Sequence, residues 1–114
     1  MSNAELTIDL ETENGATIVT PLGNVDLSKS ASLRAAIHKV LQEQSATIIV
    51  DLNAVSYMDS SGVATLIEGL QLAKNENKEF LLCELTEGVK SIIELARLDK
   101  IFDIFENREA ALEN

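Results

Sequence analysis

The sequence is poor in the residues that staple a chain or bind metals. It has one cysteine, Cys83, in 114 residues, so an internal disulfide is excluded. One histidine, His38, leaves no His/Cys set at metal-ligand spacing. These counts fit a reducing, cytoplasmic setting and point to no metal and no cofactor. Basic residues are also scarce. Nine Lys+Arg against nineteen Asp+Glu give a net charge of −10, a field that repels phosphate backbones and anionic membrane surfaces. Neither nucleic acid nor membrane is an expected partner. No apolar run approaches the roughly 20 residues of a membrane span, and the start of the chain has neither a basic nor an apolar leader segment, so the reading is a soluble protein. Also missing are a Gly-rich phosphate loop with its lysine, a Gly-x-Ser-x-Gly elbow, internal repeats and low-complexity stretches. Little is left on which to build an enzyme.

What remains is a chain with 46% apolar and 25% charged residues, enough for one core and one domain. Residues 1–4 read as a disordered N-terminus or the remnant of an expression tag, and residues 5–114 as the domain. The acidic residues are scattered and form a solvated surface. A monomer is the expectation, with the apolar helix faces leaving a dimer as the alternative.

Hydropathy patterning predicts the elements. Leu6, Ile8 and Leu10 alternate with polar residues, and Ala16–Leu22 is rich in β-branched residues. With Glu13-Asn14-Gly15 between them, the two segments form a hairpin. Pro21 implies an edge strand or a strand terminus, because proline cannot donate to a ladder. Leu33, Ala36, Ile37, Val40 and Leu41 mark one face of a first helix, with Asp26, Ser28 or Ser30 available as N-cap. Thr47–Leu52 is a strand buried on both faces. Val63, Leu66, Ile67, Leu70 and Ala73 stripe a second helix that begins at Ser60. Phe80–Cys83 is another buried strand, with Cys83 a small core residue. Val89, Ile92, Ile93 and Ala96 mark a third helix capped by Thr86. Ile101–Phe105 reads as a short strand and Arg108–Leu112 as a terminal helix. The order ββαβαβαβα predicts an α/β fold with a mixed sheet of four to five strands and helices packed mainly on one face. His38 reads as a solvated helix residue with no role.

The informative segment is Val50 to Gly62, a buried strand, a loop and the polar cluster Asp59-Ser60-Ser61-Gly62 at a helix start. Such loops project functional groups at the carboxyl edge of a sheet. Unpaired N–H groups and the helix dipole there favour an anion. The same cluster is also an ordinary cap, supplied by Asp59, Ser60 or Ser61. A two-component receiver, with Asp51 as phosphoacceptor, is excluded by the opening hairpin and by the lack of an acidic pair after the first strand.

Tyr57-Met58-Asp59-Ser60-Ser61-Gly62 resembles the Asp-Ser-Ser-Gly signature of STAS domains of the anti-sigma factor antagonist type. Gly23-Asn24-Val25-Asp26 is similar to the Gly-Glu-Leu-Asp of that family, Ile48–Leu52 to its central strand, and Leu95–Phe105 to its late helix and strand. The resemblance implies a bacterial partner-switching protein without enzymatic activity or cofactor. Its unphosphorylated form binds an anti-sigma factor that is also a serine kinase and so releases a sigma factor. Phosphorylation, on Ser60 here, ends binding, and a metal-dependent serine phosphatase restores it. Asp26, Asp59, Ser61, Gly62 and Met58 are the implied partner-binding residues, although Met58, like Tyr57, also reads as packing beneath the loop. The alternative is a STAS accessory subunit of a lipid-transport ABC complex or signalling scaffold, not phosphorylated. The sequence departs from the family pattern at Asn24-Val25 and at Arg97, where a glycine is usual.

Overall fold

The computed structural model describes residues 6–114; the expectation for residues 1–4 lies outside them. The hairpin is β1 (Ile8–Glu13) and β2 (Ala16–Pro21), in antiparallel register from Ile8↔Pro21 to Glu13↔Ala16. Asn14 and Gly15 join them with φ of 52° and 82°, the two positive angles of a turn whose twist matches that of the strands. Pro21 sits at the terminus of β2. The edge alternative is corrected, because β2 lies between β1 and β3.

The rest is α1 (Ser30–Leu41), β3 (Thr47–Asp51), α2 (Ser60–Asn75), β4 (Glu79–Cys83), α3 (Glu87–Leu95), a single 3-10 turn (Leu98–Lys100), β5 (Asp103–Phe105) and α4 (Arg108–Leu112). The sheet runs β1-β2-β3-β4-β5, parallel from β2 onward. This is the expected mixed α/β sheet, with five strands. Among the described residues no helix is long and apolar enough to cross a membrane.

The alternation of side chains along strands divides the core in two. Val19, Ile48, Val50, Phe80 and Leu82 pack with Leu33, Ile37 and Val40 of α1, Leu66 and Leu70 of α2, and Val89 and Ile93 of α3. The opposite face, with Ala16, Ile18, Ile49, Leu81 and Cys83, meets Ala111 of α4. Burying each of the large aliphatic residues contributes roughly 1.5–3 kcal/mol. Cys83 is fully buried, and burial pushes its thiol up to about 12, so it packs as an inert neutral group.

At five residues α4 is too short to persist alone, and polar contacts fix it. Asn107 caps it by accepting from Ala110 N at 2.8 Å. Arg108 reaches across the sheet to the buried Asp51 at 2.9 Å and to Glu11 at 3.4 Å, while its backbone N–H donates to Glu84. The Asp51 carboxylate also accepts from Asn53 N, so its burial is compensated on both oxygens.

Two expectations for helix residues are corrected. Thr86 occupies the N-cap of α3 but makes no capping bond; its hydroxyl donates instead to Val55 O at 2.6 Å. His38 is not merely solvated. Its Nε2 lies 2.6 Å from Glu68 of α2, which also takes Arg34 at 2.9 Å. The hydrogen bonds from His38 and Arg34 hold the Glu68 carboxyl below its usual range.

After α3 the chain turns through Arg97 in the left-handed region, φ 62° and ψ 23°. A side chain there costs about 1–2 kcal/mol, partly offset by the entropy that glycine would lose on folding. Arg97→Gly is therefore expected to stabilise the domain by about 0.5–1 kcal/mol, read as a higher urea midpoint at unchanged slope. A lower midpoint would contradict this account of the turn.

Candidate functional site

The β2–α1 and β3–α2 loops leave neighbouring parallel strands at their carboxyl ends, and a two-residue bridge ties them together. Val25 pairs with Met58 in parallel fashion, through Val25 N to Tyr57 O and Asp59 N to Val25 O, each at 3.1 Å. Asn24 Oδ1 adds a second tie, accepting from Ser56 Oγ at 2.9 Å and from Tyr57 N at 3.1 Å.

Of the three candidate caps for α2, Asp59 is the one used. Its backbone is extended, and its Oδ1 accepts from Ser61 N, Gly62 N and Ser61 Oγ, the last at 2.5 Å. Its Oδ2 crosses to the other loop and accepts from Leu27 N at 3.0 Å. Led by the Ser61 hydroxyl, these donors hold the Asp59 carboxyl below its usual 3.8 against the opposing effect of desolvation. Asp26 is expected as a cap for α1 but organises the turn before it. Its Oδ1 accepts from Ser28 Oγ at 2.7 Å and from Ser28 N at 3.0 Å, and the Ser28 hydroxyl leads in lowering its pKa. Neither Ser28 nor Ser30 caps α1 either: the N-cap position falls on Lys29, which makes no side-chain bond.

The expected site residues separate into two layers. Asp26, Asp59, Ser60 and Ser61 reach the surface, whereas Met58 and Gly62 are buried. Both pack beneath the surface, as the packing reading of Met58 expects. Met58 is fully enclosed, because the residue preceding the cap points inward beneath the loop. A Cβ on Gly62 would come within 2.5 Å of Met58 Cγ and 2.9 Å of Val25 O, so a glycine lets the first turn of α2 lie against the bridge. Gly88 does the same for α3, where a Cβ would stand 2.3 Å from Ser56 O. The surface also carries Leu27 and Tyr57, 77% and 49% exposed.

Ser60 and Ser61 are chemically different. The Ser61 hydroxyl is committed to Asp59. Ser60, the first residue of α2, is exposed, and its hydroxyl bonds to none of the described residues. The expectation of unpaired N–H groups here is narrowed, because the Ser61 and Gly62 amides are already taken by Asp59. An anion on Ser60 meets a carboxylate instead. Sequence reading did not find Asn24 as a tie between loops. It registers there only as a departure from a pattern, although an Asn next to a loop glycine is a frequent side-chain acceptor.

The family model for the STAS domain matches residues 7–111, which span both loops and every element of the sheet. This chain belongs to the STAS domain family. Among relatives of this STAS domain is the anti-sigma F factor antagonist of Paenibacillus polymyxa, 28% identical over 94% of this chain and 92% of that protein. An anti-sigma factor antagonist from Mycobacterium paratuberculosis superposes with a TM-score of 0.87 at 24% identity, covering 98% and 95% of the two chains. The Bacillus cell fate determinant SpoIIAA in its phosphorylated form gives 0.70 at 21%, covering 91% and 96%. At these identities the structural likenesses establish the fold. Anti-sigma factor antagonists of this family are non-enzymatic regulatory binding proteins.

Asp59→Ala removes the cap and the crossing bond together, and is expected to lower the thermal midpoint by about 4–8 °C at neutral pH. The Asp59 pKa is depressed in the fold, so its contribution is complete above its usual 3.8 and is lost as pH falls through the lower folded value. The gap between wild type and variant should therefore narrow as the pH is lowered below 3.8. A gap that stays constant in acid would refute the capping role.

Proposed function

We propose that this STAS domain is a cytoplasmic anti-sigma factor antagonist whose docking to an anti-sigma factor with serine kinase activity is switched off by phosphorylation of Ser60. The observation that supports this reading is the division of labour between adjacent hydroxyls, Ser61 bound to Asp59 and Ser60 exposed and uncommitted. The names of relatives such as the anti-sigma F factor antagonist point the same way. A kinase transfers the γ-phosphoryl group of ATP to Ser60 Oγ, leaving ADP and releasing the hydroxyl proton. A metal-dependent serine phosphatase hydrolyses the ester and resets the switch.

The physics of the off state is electrostatic. A phosphoserine brings about −1.5 to −2 charges to a surface that already carries Asp26 and Asp59, with the neighbouring amides spent. On docking, that dianion must lose water while the Ser61 and Gly62 amides stay committed to Asp59. Every 1.4 kcal/mol weakens binding about tenfold, and an imperfectly paired buried ion costs several kcal/mol. A loss of roughly two or more orders of magnitude in affinity follows. Leu27 and Tyr57 supply the apolar contact of the docked state.

The test is phosphopeptide mapping after incubation with the cognate kinase and ATP, together with binding by the Ser60→Ala and Ser60→Asp variants. Phosphate is expected on Ser60, with constitutive binding by Ser60→Ala and weak binding by Ser60→Asp. Phosphate on Ser61, or on neither serine, overturns the assignment. A solvated phosphate leaves the core untouched, so the phosphorylated form should melt within a few degrees of the unmodified one. Gross destabilisation would show instead that the switch acts by unfolding.

A further inference from the structure

The two edges of the sheet are built differently. On β1, Asp9, Glu11 and Glu13 alternate along the outer strand, and such charges discourage pairing with another chain. β5 is three residues long and pairs with β4 alone among the described residues. Beside it lies a groove of about 460 Å³ lined by Leu85, Ile93, Ile104 and Phe105, with Lys90 and the acidic Glu94, Asp99 and Glu106. Ile104 packs against the three-helix core, whereas Phe105 packs against the opposite core. The groove therefore reaches the edge strand at Ile104 and Phe105, with α3 and the 3-10 turn forming its other wall. Leu95 and Ile101, next in sequence to Glu94 and two residues before β5, are 84% and 52% exposed.

We propose that this groove docks an extended segment of a partner protein, with apolar residues alternating with lysine or arginine, which adds to β5 as a sixth strand. An open edge supplies unpaired backbone donors and acceptors, and alternate side chains of an added strand divide between pocket and rim. The rim sets the chemistry, since three carboxylates face one ammonium group. A second copy of this chain is disfavoured as occupant, because each copy carries a charge of −10. The groove involves none of the residues around Ser60, so this docking is independent of the phosphorylation switch.

The probe is a fluorescein-labelled peptide, Lys-Val-Lys-Ile-Lys-Val-Lys, titrated with the whole protein and followed by anisotropy, with amide chemical shifts in parallel. Saturable binding is expected, with shifts concentrated on residues 85–106. Glu94→Lys combined with Glu106→Lys should weaken it at least about tenfold. Glu76→Lys combined with Glu113→Lys changes the net charge equally away from the groove and should alter binding less than about twofold. Methylating the peptide amides on alternate residues tests strand pairing: one alternate set should abolish binding and the other spare it. Equal losses from the two charge-reversal pairs, indifference to both methylation sets, shifts centred on β1 or on the Ser60 loop, or no binding each overturn the proposal.

Discussion

The arrangement at the carboxyl edge depends on one carboxylate. Asp59 begins α2, fixes the Ser61 hydroxyl and reaches across to the backbone of Leu27, so a single side chain sets the helix start and the separation of the two loops. A shorter acceptor would leave one of these tasks undone. With both loops anchored on parallel strands and on the Val25–Met58 bridge, the Ser60 backbone is held in place while its hydroxyl bonds to none of the described residues.

That economy explains how a small chemical change is read without remodelling. The layer beneath the site is apolar and closely packed, with Val25 and Met58 fully enclosed and two glycines where backbone and side chain would otherwise collide. The layer above is polar or isolated apolar side chain. A group added to the upper layer changes the field and shape seen by a partner, while the lower layer holds the scaffold. The proposed partner-switching role needs this separation.

Much of the fold was legible because its determinants are local. Asn14-Gly15 announces the hairpin, β-branched runs announce β3 and β4, and the 3.6-residue stripes announce α1 and α2. The errors have non-local causes. Glu68 is 30 residues from His38, and no spacing rule brings them together. The Thr86 hydroxyl, well placed to cap α3, is drawn to a carbonyl on a neighbouring loop. Asp59, Ser60 and Ser61 all suit a cap by type, and a one-residue difference in where the helix starts decides among them. Met58 shows the same sensitivity: it adjoins the signature in sequence, yet its side chain points into the core. Arg97 stands where glycine is usual and where a left-handed helix end prefers it, and it adopts that left-handed conformation.

The asymmetry of the two cores bears on how the protein is made. The three-helix face is covered by α1, α2 and α3, all of which precede the terminal helix in the chain. The other face waits for Arg108–Leu112 to supply Ala111 and the guanidinium that neutralises Asp51. A nascent chain that has passed β4 but not this segment carries Ile18, Ile49, Leu81 and Cys83 uncovered beside an unneutralised acid. The last turn of helix thus acts as a closing step in biosynthesis, and interrupted translation products would present an oily sheet for chaperones and proteases to recognise.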